Sequence, residues 1–161
     1  MPWRWPDRLW SMGEVPVGCL FVRHGQIVAE GRNSVNETRN ATRHAEMNCV
    51  DIVIALCADL HEDPCTFFAQ TEVVVSVEPC VMCTAALLDL GVTKVTYGCR
   101  NDRFGGCDSV FNAASLCEQS FSVVAGVQEE TAMQLLKDFY KGTNPNAPVP
   151  KVKSAKRMDS A

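Results

Sequence analysis

Two short stretches hold the residue types that could do chemistry together. One is His44-Ala45-Glu46 in "TRHAEMN"; the other is Pro79-Cys80-Val81-Met82-Cys83 in "EPCVMC". Two cysteines three apart at the start of a helix lie on one face and can reach one ion. Thiolates bind zinc, and the positive end of a helix lowers a thiol pKa. A structural zinc recruits four protein ligands, whereas a catalytic one keeps a position open. The chain has no second C-x-x-C. Cys80 and Cys83 with one histidine therefore leave the fourth position to water. Of the three histidines, His24 falls in a predicted turn and His61 follows a helix end beside Glu62 and Asp63. His44 opens a helix, as the cysteine pair does, so His44 is the expected third ligand. Glu46, two residues on, can then face the water. Zinc brings the pKa of a bound water to about 7. A carboxylate beside it can take the proton and return it to a leaving group. Hydrolytic deamination needs these steps: attack at a ring carbon, protonation of a ring nitrogen and loss of ammonia.

H-x-E alone is a weak signal, and C-x-x-C alone also reads as a redox pair or two core cysteines. The combination, with proline before the first cysteine, is the signature of zinc deaminases, in which the glutamate is the general acid/base and not a ligand.

The elements that must position these residues can be read from periodicity. From Val17, "VGCLFVRHGQIVAEG" reads as a hairpin turning at His24-Gly25. "RNSVNETRNATR" is polar and reads as a loop. "HAEMNCVDIVIALCADL" reads as a helix with Met47, Val50, Ile54 and Cys57 on its buried face and Val53, Leu56 and Leu60 widening it; "HEDPC" ends it. "TEVVVSV" is a buried strand. "EPCVMCTAALLDLG" reads as a helix with Pro79 at its first position and a terminal glycine. "VTKVTYG" is a further strand, "CRNDRFGGCDSVFNAAS" a glycine-bearing loop, "FSVVAG" a last strand and "QEETAMQLLKDFYKG" an amphipathic helix. Strands alternating with helices imply an α/β fold around one sheet.

The 161 residues, 47% hydrophobic and 21% charged, suit one domain with a single core. No apolar run approaches the roughly 18 to 20 residues that span a bilayer, and "MPWRWPDRLW" lacks the apolar core of a signal peptide. A soluble intracellular protein is expected, with no membrane partner. Nine cysteines without a secretion signal argue for reduced thiols, most of them small buried hydrophobes. The formal charge is −4, unevenly spread: from Lys141 onward it is +4, so the rest carries −8.

Beyond the zinc signature, "EVPVGCLFV", "GRNSVNETRNATRHAEM", "VEPCVMCTAAL" and "YGCRNDRFGGCDSV" resemble the tRNA adenosine deaminases in order and spacing, over roughly residues 14–157. "FYKGTNPNAP" is similar to the close of the catalytic subunit of the family's eukaryotic enzyme. The resemblance implies a cytidine-deaminase-like three-layer α/β/α sandwich around a mixed sheet, spanning 14–141. It implies one zinc on His44, Cys80 and Cys83, Glu46 as proton shuttle, and conversion of adenosine to inosine at the wobble position of tRNA. It also implies a heterodimer with a catalytically deficient subunit 3, and a location in nucleus, cytoplasm or both. Asn33 would contact the flipped nucleoside, its bland alternative being a loop amide bonding backbone. Val15, Pro16 and Val17 resemble the wall of the base pocket, or simply pack the start of a strand. Arg103, Phe104, Gly105 and Gly106 match the family's loop; Arg103 suits a phosphate, and Phe104 is expected in the core. Lys151, Lys153, Lys156 and Arg157 resemble a basic tRNA-binding tail within the Pro-rich segment 142–161. Residues 1–13 depart from the family, standing where an amphipathic helix is expected. A cytidine or nucleobase deaminase with the same centre, and a non-catalytic zinc-stabilised interaction subunit, remain open.

Overall fold

The computed structural model describes residues 13–116 and 119–141. The expectations for residues 1–12 and for the tail from 142 onward, with Lys151, Lys153, Lys156 and Arg157, lie outside the described residues.

The expected hairpin is β1 (Gly18–Arg23) and β2 (Gln26–Arg32). His24 and Gly25 both take positive φ, 51° and 77°, as a two-residue turn matched to strand twist requires. Three further strands follow: β3 (Thr71–Val77), β4 (Lys94–Cys99) and β5 (Ser122–Val124). The sheet order is β2-β1-β3-β4-β5, antiparallel on the β2-β1-β3 side and parallel across β3-β4-β5. The mixed sheet is the one expected.

On one side lie α2 (Ala45–Leu60), α3 (Pro64–Ala69) and α4 (Val81–Asp89), sharing a core with Cys19, Phe21, Val73, Val75, Val95 and Tyr97. On the other, α5 (Glu129–Lys141) sets Ala132 against Gly98 of β4. The result is the three-layer sandwich. No helix among the described residues is long and apolar enough to cross a membrane.

Three details differ from expectation. The buried face of α2 runs through Ala45, Cys49, Val53 and Cys57, while Ile54 is 44% exposed and Leu60 also faces out. The helix lies rotated from the face that its largest side chains suggest, because β2 approaches so closely that small residues must meet it. A Cβ on Gly31 would come 2.4 Å from the Ala45 carbonyl oxygen and 2.7 Å from the Cys49 sulfur. The second difference is α3, a short helix unassigned from sequence. Asp63 caps it by accepting from the Thr66 N–H at 2.8 Å, and Pro64 occupies its first turn. Its Phe68 ring meets Phe21 edge-on at 6.2 Å, and the Arg23 guanidinium lies 4.1 Å over Phe67. The third is α1 (Val35–Thr38), a single turn inside the expected loop. Buried Glu14 holds its start, accepting from the Glu37 N–H at 2.7 Å and Asn36 Nδ2 at 3.1 Å.

Candidate metal centre and active site

The sites of chemistry sit at two helix starts. His44 is the N-cap of α2 and Cys80 the N-cap of α4, both in extended backbone, and neither side chain caps its own helix. Both side chains are thereby left for something else. Pro79 precedes the cap and does not occupy the first helical position expected for it; its carbonyl accepts instead from the Gly106 N–H at 2.9 Å. Gly91 follows the end of α4 at φ 81°, the terminating glycine expected there.

His44 Nδ1 lies 3.5 Å from Cys80 Sγ and 3.5 Å from Cys83 Sγ, and the three ligand atoms fall within 4.8 Å of one another. Tetrahedral ligands at zinc bond lengths of about 2.0 to 2.3 Å are themselves about 3.3 to 3.8 Å apart. The residues therefore fit a zinc ion. Crowding of the three groups splits their acidities. A hydrogen bond from Cys83, helped by His44, brings the Cys80 thiol down to about 4 against the effect of burial. Cys83, facing that thiolate and fully buried, is pushed far up. The Cys80 thiolate also raises the His44 ring above 6.5 despite its burial. His24 and His61 are elsewhere: one makes the hairpin turn, the other ends α2 with φ 56° and Nδ1 3.0 Å from the Ala58 carbonyl.

Glu46, in the first turn of α2, is 3% exposed and faces Cys83. Burial pushes its carboxyl up to about 6; the Cys80 thiolate adds to the rise, and His44 opposes it. An acid poised there can take and give a proton near neutral pH.

Asn33, 8% exposed, sits at the end of β2. Its side-chain oxygen accepts from the N–H of Ala45, twelve residues on, at 3.0 Å. Its Nδ2 makes no hydrogen bond among the described residues. The Asn33 N–H donates to the Val17 carbonyl at 3.2 Å, bringing together Asn33 and the segment of Val15, buried Pro16 and Val17. Arg103 is exposed, its guanidinium 5.3 Å from the Phe104 ring, and Phe104 is 59% exposed. The expectation that Phe104 packs in the core is overturned: the backbone of its loop is bonded to the start of α4, which turns the ring outward.

One residue escaped the sequence reading. Glu78, 2% exposed, gathers the loop after β4 onto its carboxylate. No local pattern announces it, because its partners lie 23 to 31 residues away.

The family model of the cytidine and deoxycytidylate deaminase zinc-binding region matches residues 7–99. A protein of Danio rerio named tRNA-specific adenosine deaminase 2 is 51% identical over 145 residues, covering 88% of this chain and 68% of the relative. Its namesake in Xenopus tropicalis is 50% identical, covering 88% and 85%. A solved structure from work on A-to-I editing by tRNA:A34 deaminases at the wobble position superposes with a TM-score of 0.68 at 26% identity, over 76% of this chain and 86% of that one.

Proposed function

The chain belongs to the tRNA-specific adenosine deaminases of the cytidine and deoxycytidylate deaminase family, and from that membership we propose how it deaminates the wobble adenosine of tRNA to inosine. The observation that carries the reading is the meeting of His44, Cys80 and Cys83 around one point with buried Glu46 beside them.

His44, Cys80 and Cys83 would hold the zinc. When bound, the metal supplies a water that is acidic near neutral pH. The Glu46 carboxylate would take a proton from the attacking water as the oxygen adds to C6 of adenine, and would pass it to N1. Glu46 then takes the proton of the new C6 hydroxyl and gives it to the exocyclic amine, which leaves as ammonia, and the ring is left with the 6-oxo group of inosine. Burial keeps the Glu46 carboxyl able to do both. Asn33 holds the flipped nucleoside through the amide nitrogen that its cap to Ala45 leaves over, and Val17 and Pro16 wall the base. Arg103 and the tail cations Lys151, Lys153, Lys156 and Arg157 meet phosphates, holding RNA to an otherwise acidic body.

The catalytic chain pairs with the catalytically deficient subunit 3. Exposed Val81 and Met82 on α4, with Val110, Phe111 and Leu116 after the loop, favour such a docking surface. A tRNA substrate places the work inside the cell, in nucleus, cytoplasm or both. The relatives' reaction favours adenosine in tRNA over a free nucleobase, and Glu46 favours catalysis over scaffolding alone. The test is inosine formation on a tRNA with adenosine at the first anticodon position, with and without the partner subunit. No inosine from either preparation at full zinc occupancy would refute the reading.

A further inference from the structure

Glu78 ends up buried two residues before Cys80, yet no lysine or arginine among the described residues pairs with it. Its carboxylate is satisfied by backbone instead. Oε1 accepts from the N–H groups of Cys107, Asp108 and Ser109 at 3.2, 2.9 and 3.0 Å. Oε2 accepts from the Asn101 N–H at 3.0 Å and from the Ser109 hydroxyl. Convergent N–H groups around one anion form a rigid nest, and each bond to a charged acceptor is stronger than a neutral one. A loop that would otherwise leave its amides to water is wound around one side chain.

The same loop is laid along the start of α4. The Val81 N–H donates to the Phe104 carbonyl at 2.9 Å, the Gly106 N–H donates to the Pro79 carbonyl at 2.9 Å, and Cys80 and Gly105 form an antiparallel bridge. Gly105 passes so close that a Cβ there would stand 2.6 Å from Glu78 Oε2. Asn101 Oδ1 accepts from the Phe104 N–H at 3.1 Å, closing the turn that turns Arg103 and Phe104 out to solvent. Two exposed residues suited to RNA thus stand next to a zinc ligand, on a loop whose shape depends on one buried carboxylate.

We propose that Glu78 is a positioning residue: it holds the Arg100–Ser109 loop against Cys80 so that Arg103 and Phe104 meet the RNA in a fixed arrangement. This rests on the reading that the site takes RNA. A glutamine at 78 has one accepting oxygen and turns an NH2 group toward N–H donors, so the nest cannot close. If the competent loop is populated only a fraction of the time, apparent affinity falls by that fraction while the bound complex reacts as before.

The test compares the zinc-loaded parent, Glu78→Gln and Ser109→Ala, each produced with the partner subunit. In Glu78→Gln the amides of Asn101, Cys107 and Asp108 should exchange with solvent about tenfold faster or more, those of Val73, Val74 and Val75 being unchanged. Zinc should stay at the parent level. The KM for tRNA should rise about fivefold or more, with kcat within about twofold. Ser109→Ala, which removes one donor only, should move the same quantities less, and it decides the matter if Glu78→Gln does not fold. Unchanged loop exchange, loss of zinc, or a fall in kcat at constant KM overturns the proposal. A parent chain that makes no inosine refutes the RNA reading instead, and the exchange rates still judge Glu78.

Discussion

The side-chain oxygen of Asn33 accepts from the backbone N–H of Ala45 at 3.0 Å, fastening the end of β2 between His44 and Glu46. Its oxygen caps α2 from outside the helix, and the proposed base contact falls to its nitrogen. The two jobs are separable. Asn33→Asp keeps an accepting oxygen at a helix start, which favours anions, and removes the donor. Its unfolding free energy should stay within about 1 kcal/mol of the parent, the scale of a helix cap. Its kcat/KM on tRNA should fall by about 10- to 100-fold, the scale of a lost base contact. Chemical denaturation and deamination kinetics measure both; full activity in Asn33→Asp would reduce Asn33 to a cap.

Gly31 sets how closely α2 approaches the sheet. Since a Cβ there would overlap the Ala45 carbonyl and the Cys49 sulfur, Gly31→Ala must push α2 outward at its active end. Forced overpacking costs about 1 to 3 kcal/mol. A lowered melting temperature and weaker zinc retention are expected together, because the strain falls next to His44. A variant as stable as the parent would show that β2 and α2 are not in such close contact.

Asp63 gives a pH signature remote from the metal. Hydrogen bonds from the Thr66 N–H and hydroxyl hold its carboxyl below the ordinary 3.8. A carboxyl depressed by folding contributes stability above its unfolded value and loses it as pH falls through the folded one. Asp63→Ala should therefore melt below the parent at neutral pH, and the gap should close as pH falls below 3.8. Thermal melts across pH check this; a gap that does not change with pH would remove Asp63 as a charged cap.

The basic tail should act through salt. Deleting residues 151–161 removes Lys151, Lys153, Lys156 and Arg157. If these meet phosphates, tRNA binding should weaken and its log–log salt slope should flatten by about 3. Binding titrations over a salt series decide it, and identical slopes would leave the tail without a part in binding.

The zinc ligands, the hairpin turn and the four main strands were legible because each rests on local signals: a spacing, a turn pair, a run of β-branched residues. Where contacts were remote, sequence fell short. Ile54 looked like core by its size, but the approach of Gly31 turned the small face of α2 inward. The turn at Val35–Thr38 depends on Glu14, more than twenty residues earlier. The helix at Pro64–Ala69 carries a local signal, aspartate followed by proline, but is too short to show a helical period. Phe104 has the residue type of a core position, but the turn closed by Asn101 and the bond of its carbonyl to Val81 set its ring outward.

If Glu46 moves the proton while His44, Cys80 and Cys83 hold the metal, the two jobs separate in one variant. The most direct measurement is zinc content and inosine formation on the same preparation of Glu46→Ala, made with the partner subunit. Zinc should stay at the parent level while deamination falls by at least about 100-fold, the lower range for a lost general acid/base. Inosine formed at the parent rate, with zinc in place, would contradict that role for Glu46.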